Sequence, residues 1–93
     1  MVDPPARPDL LVVARILEAL TVSDRRLKRT QLQMAAGINY TQLERYLNLL
    51  EARGLVVVSK TKPAGTYVDL TSAGYSAFVF LRKSIEEILG SDL

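Results

Sequence analysis

The chain has 93 residues, 48% of them apolar and 24% charged, with a formal net charge of +2 and neither cysteine nor histidine. A chain of this length holds one modest core, and the missing residue types exclude disulfides, thiolate or imidazole metal sites, cysteine nucleophiles and histidine acid–base chemistry together. The longest apolar runs, residues 10–14 and 77–81, span five residues, far short of the ~20 that cross a bilayer; the opening also lacks the apolar core of a signal peptide, so a cytoplasmic protein is expected.

In chain order, residues 1–8 contain Pro4, Pro5 and Pro8. They read as an extended, flexible arm, because proline lacks a backbone donor and biases its predecessor away from helix. Asp9 stands where a helix cap is needed. Leu10, Val13, Ala14, Leu17 and Leu20 then follow the three-and-four spacing of an inward face, predicting a helix over 10–22. The polar segment 23–30 reads as a loop or ragged helix end. Thr30 is the expected cap of a short helix over 31–36, with Leu32, Ala35 and Ala36 inward and Gly37 as the left-handed stop.

A third helix is the best specified. Asn39 is its expected cap with Gln42 as third-position partner, and Ile38 and Leu43 occupy the two staple positions. Leu43, Tyr46, Leu47 and Leu50 form the inward stripe, and Gly54 is the stop. Residues 55–59 are rich in valine and predict a strand, 60–65 a turn carrying Lys60 and Lys62, and 66–70 a second strand. Thr71 caps a last helix over 72–89.

The expected class is therefore mainly α with a small β-hairpin, in the order α-α-α-β-β-α. Three helices followed by a hairpin make the winged form of the helix-turn-helix, in which the second helix supports the third and the hairpin is the wing. The organisation that follows is an arm at 1–8, a winged-helix domain at 9–71 and a C-terminal dimerisation helix at 72–93.

The residues carry a more specific likeness. Tyr40, Leu43, Tyr46, Leu47, Leu50, Gly54 and Leu55, followed by Leu70, Thr71 and Gly74, resemble the small archaeal winged-helix proteins in their helix start, Tyr-Leu-x-x-Leu, Gly-Leu and Leu-Thr-x-x-Gly pattern. The resemblance covers roughly residues 9–80 and implies binding of double-stranded DNA without a cofactor, by dimers that pair through their last helices. The chain departs from the pattern at Asn39, where serine is commoner and either residue caps, and in a somewhat longer wing.

Charge placement agrees with that implication. Residues 25–62 hold eight basic side chains against two acidic, whereas the remainder holds four against eight; a basic middle between acidic ends suits a polyanion partner. On the third helix, Tyr40, Thr41, Gln42, Glu44, Arg45 and Asn48 fall outside the apolar stripe. Arg45 suits a bidentate contact to guanine, Gln42 or Asn48 to adenine, and Thr41 a phosphate or thymine methyl. Tyr40 either packs its ring against the second helix or offers its hydroxyl to a phosphate, and Glu44 either accepts from cytosine or is solvated surface. Lys28, Arg29, Thr30 and Gln31 are expected along the DNA backbone, and Lys60 and Lys62 at the wing tip along the minor groove or its phosphates.

In the last helix Phe78, Leu81, Ile85 and Ile88 make one stripe of coiled-coil type, while the unbroken run through Phe80 requires cover on a second side. A homodimer pairing these helices is expected, with Phe78, Phe80, Leu81, Ile85 and Ile88 at its interface and a palindromic DNA site as corollary. No catalytic or metal-binding residue is identified, since the carboxylates form no recognisable catalytic motif and serine or threonine has no histidine partner. The leading reading is a dimeric transcriptional regulator; a nucleoid-associated architectural protein and a protein-interaction module without DNA contact are the alternatives.

Overall fold

The computed structural model describes residues 7–61 and 65–90. Most of the proline arm, Lys62 and the end of the C-terminal segment lie outside the described residues. The elements run α1 (Leu10–Val22), β1 (Arg26–Lys28), α2 (Arg29–Ala36), α3 (Tyr40–Ala52), β2 (Val56–Thr61), β3 (Gly65–Leu70) and α4 (Ser72–Leu89). The expected helices and hairpin are all present, and β1 is an addition to them.

Local chemistry explains the helix ends. The Asp9 carboxylate accepts from the Leu11 N–H, the Asn39 side chain from the Gln42 N–H and the Thr71 hydroxyl from the Gly74 N–H, so three helices begin on side-chain caps. Gly37 adopts φ 68° and donates its N–H to the Gln33 and Met34 carbonyls, ending α2 in the left-handed conformation that glycine tolerates. The start of α2 differs from expectation. Its cap is Lys28, and Thr30 is the second residue of the helix, because β1 feeds straight into the helix with Lys28 already extended. The Gln31 side chain reaches back to accept from the Lys28 N–H at 3.0 Å.

Segment 23–30, expected as a loop or ragged helix end, contains a strand. Asp24 and Arg25 both take positive φ (58° and 68°), turning the chain so that Arg26, Leu27 and Lys28 pair with Asp69, Val68 and Tyr67. β2 pairs with the other edge of β3, from Val56↔Leu70 to Thr61↔Gly65. The result is a three-stranded antiparallel sheet ordered β1-β3-β2. The β2 strand also extends through Lys60, which stands in the ladder opposite Thr66 instead of in the turn.

Helix α1 lies at the centre of the core, packed on α2, α4 and β3. Ile16, Leu17 and Leu20 are fully buried, as are Leu32, Leu43, Leu50, Val56 and Val68 from the surrounding elements. Cover on several sides buries Val12, Ile16 and Ala19 as well as the expected stripe, while Leu10, at the helix start, remains 60% exposed. Ala35, expected inward, is exposed because the eight-residue α2 turns only Leu32 and Ala36 into the core. All four stripe residues of α3 are buried, and the Tyr46 hydroxyl accepts from the Asp9 N–H at 2.9 Å, tying α3 to the start of α1.

The Gly-Leu and Leu-Thr-x-x-Gly segments form one joint. The Thr71 N–H donates to the Leu55 carbonyl at 3.1 Å, and the Thr71 hydroxyl lies 2.7 and 3.0 Å from the Gly54 and Leu55 carbonyl oxygens. Gly74 is buried against Leu55, where no Cβ fits. These residues hold the end of α3, the start of β2 and the first turn of α4 together.

Candidate nucleic-acid interface

The α2–turn–α3 unit presents the outer face of α3 to solvent. Tyr40, Thr41, Gln42, Arg45 and Asn48 are exposed there, whereas Glu44 is only partly so. Burial of Leu43, Tyr46, Leu47 and Leu50 sets the rotation of α3 and thereby selects which residues face out.

The start of α2 and the tip end of the hairpin form a cleft of about 300 Å³ lined by Lys28, Arg29, Thr30, Gly65 and Thr66. The ladder places Lys60 opposite Thr66 at its edge. Segments far apart in the chain thus bring Lys28, Thr30 and Lys60 into one neighbourhood. Gln31 is exposed next to them with its side-chain oxygen engaged by the Lys28 N–H, leaving its amide nitrogen to donate outward.

The outer sheet face is also basic. The Arg26 guanidinium lies 4.3 Å from the Tyr67 ring centre and the Lys28 ammonium 5.9 Å, both within cation–π range. Arg26 additionally pairs with Asp69 at 3.5 Å. Among the described residues Lys28, Arg45 and Lys60 form no ion pair.

Arg29 is arranged differently from its expected place on the DNA backbone. Its guanidinium lies 3.8 Å from the Tyr40 ring centre and pairs with the Glu44 carboxylate, leaving the side chain only 14% exposed. Tyr40 accordingly meets the second helix through the Arg29 stack, with its remainder in solvent, and Glu44 has a cation partner. No sequence signal reported this cluster, because its members belong to different helices and meet only when α2 crosses the start of α3.

On α4, Phe78 was expected on the pairing stripe, yet it is 5% exposed within the core of its own chain, since the same face that packs on α1 carries it. Leu81 packs partly on that core and Ile85 is half-buried. Phe80 and Ile88 are 71% and 79% exposed. Together with Ala73, Ala77 and Ser84 they recur at steps of four, three, four and four residues along α4.

Residues 7–88 match the winged helix-turn-helix family. The chain belongs to that family. In its terms α2 and α3 are the helix-turn-helix and β2 and β3 the wing, with β1 completing the winged-helix sheet. The fold is shared with Sso10a-2, a DNA-binding protein from Sulfolobus solfataricus, at a TM-score of 0.78 and 20% identity over 90% of this chain and 84% of that one. It is shared too with F93 from STIV, a winged-helix DNA-binding protein, at 0.82 and 18% identity over 94% and 100%. A MarR-family transcriptional regulator from Silicibacter pomeroyi aligns at 0.70 and 27% identity over 83% of this chain but 55% of its own. Curated protein sequences contain no match.

Proposed function

We propose that this winged-helix protein binds double-stranded DNA as a homodimer and serves as a transcriptional regulator. The observation that carries the reading is a set of cations that form no ion pair among the described residues, Arg45 on the exposed face of α3 and Lys28 and Lys60 at the α2 start and wing, where Thr30 lines the cleft with Lys28. A helix entering the major groove reads bases mainly with its first turns. Tyr40, Thr41, Gln42, Arg45 and Asn48 occupy that position, while Lys28, Thr30, Gln31, Lys60 and Lys62 supply phosphate or minor-groove contacts that set the docking register. The DNA-binding descriptions of the structural neighbours support the same reading.

Pairing of the two protomers is assigned to α4. Phe80 and Ile88 are exposed apolar residues in line with exposed Ala73 and with half-buried Ala77 and Ser84, whose small side chains permit close helix approach. A twofold axis through α4 would repeat the reading helix and favour a palindromic site.

The deciding experiment is selection of bound sequences from a random duplex pool at two salt concentrations. An enriched palindromic motif supports a regulator, and tight binding without a motif would favour an architectural role. Three to five phosphate contacts per subunit would give a log–log salt slope of about −0.9 for each. Failure to form any complex at low salt would overturn DNA binding and leave the protein-interaction module.

A further inference from the structure

We propose that Arg29 is a positioning residue of the reading helix, which neutralises Glu44 and braces Tyr40, and that it does not itself contact phosphate. The inference rests on the DNA-binding reading above. Position alone makes Arg29 an obvious phosphate ligand, since it occupies the first turn of the supporting helix beside Lys28 and Thr30. Its side chain is committed elsewhere. The guanidinium lies over the Tyr40 ring at 3.8 Å and pairs with Glu44, and the two charged side chains are 14% and 32% exposed. Its Nε and Nη2 are buried with no hydrogen-bond partner among the described residues, so the Glu44 contact through Nη2 is an ion pair without hydrogen-bond geometry and the guanidinium is held by charge and stack rather than by a fork.

The need for such a device lies in the charge of α3. Glu44 is next to Arg45 on the outer half of the helix, and an uncompensated carboxylate there would face a phosphate polyanion. The Arg29 pair removes that penalty before DNA arrives. Drawing Arg29 out to a phosphate would abandon the stack and leave Glu44 partly buried without a cation, which works against binding. Of the described cations on α2, α3 and the wing assigned to DNA, Lys28, Arg45 and Lys60 stay available to it.

The test compares wild type, Arg29→Met, Glu44→Gln and the double variant in salt-titrated binding to the selected DNA duplex, after thermal melting has established that each is folded. Methionine keeps an apolar stem over Tyr40, and the double variant removes both charges together, so it remains informative even where the single Arg29 change unfolds the domain. Arg29→Met is expected to bind roughly three- to tenfold more weakly through the exposed Glu44 charge, with its salt slope unchanged. The double variant should return to within about twofold of wild type, again with an unchanged slope. A merely structural clamp would not be rescued by Glu44→Gln, because that change also breaks the pair. A slope reduced by about 0.9 in both Arg29 variants, without rescue, would overturn the proposal and make Arg29 a direct phosphate contact. That result would leave DNA binding intact, whereas a wild-type chain that bound no duplex would overturn both.

Discussion

Replacing Gly74 with alanine introduces one methyl group at the joint between α4 and the Gly54–Leu55 turn. An ideal Cβ at this position would lie 2.6 Å from Leu70 Cδ1 and 3.1 Å from the Leu55 carbonyl carbon, and would overlap the Leu55 oxygen outright. The leucine side chain can turn aside, but the backbone carbonyl is held by the Thr71 N–H at 3.1 Å and the Thr71 hydroxyl at 3.0 Å. Overpacking by a methyl costs about 1–3 kcal/mol, and disturbing those hydrogen bonds adds about 1 kcal/mol each. Better helix propensity of alanine returns about 1 kcal/mol, for a net loss of roughly 2–4 kcal/mol. Domains of 93 residues have roughly 5–14 kcal/mol in total, so thermal and urea unfolding followed by circular dichroism should register a large shift. At about 4–8 °C per kcal/mol, the melting midpoint should fall by at least ~8 °C. Ser72→Ala, at an exposed position of the same turn, should stay within about 0.5 kcal/mol of wild type. A Gly74→Ala protein as stable as that control would refute the close approach of α4 to Leu55 on which the joint depends.

Further expectations concern the core and the two proposed interfaces. Tyr46→Phe removes the hydroxyl that accepts from the Asp9 N–H at 2.9 Å, and should cost about 0.5–1.5 kcal/mol in urea unfolding; a loss near 3 kcal/mol would mean the ring itself has moved. Phe80→Glu with Ile88→Glu should yield a folded monomer by sedimentation at concentrations where wild type is dimeric, since both side chains are exposed on one chain. Persistence of the dimer would place pairing elsewhere. Arg45→Ala should weaken specific DNA binding by about 1–3 kcal/mol and relax preference at one position of the half-site in a mobility-shift competition. Lys28→Ala should instead weaken all sequences similarly and reduce the salt slope by about 0.9, so equal effects on specificity from both changes would contradict the assigned roles.

Much of the fold was legible because its instructions are local. Asp9, Asn39 and Thr71 each satisfy an N–H two or three residues ahead, and Gly37 closes a helix within its own last turn. The α3 stripe was equally readable, since a helix period and four apolar residues suffice to define an inward face. From that rotation the outward positions of Thr41, Gln42, Arg45 and Asn48 followed directly.

Other features exist only as relations between distant segments. Three residues with alternating exposure carry no strand signal of their own, and β1 is a strand because β3 offers an unpaired edge beside it. Leu10 and Phe78 have comparable apolar character, yet one is left at the surface and the other enters the core according to what crosses α1 and α4 at that level. Arg29 follows the same logic at the candidate site. The basic middle of the chain was plain from the sequence alone, but the sequence held nothing to separate a cation turned toward solvent from one held against Tyr40 and Glu44. Caps and periodicity act through neighbours along the chain and are determined there, whereas the partner of a charge is decided by which helix packs across it.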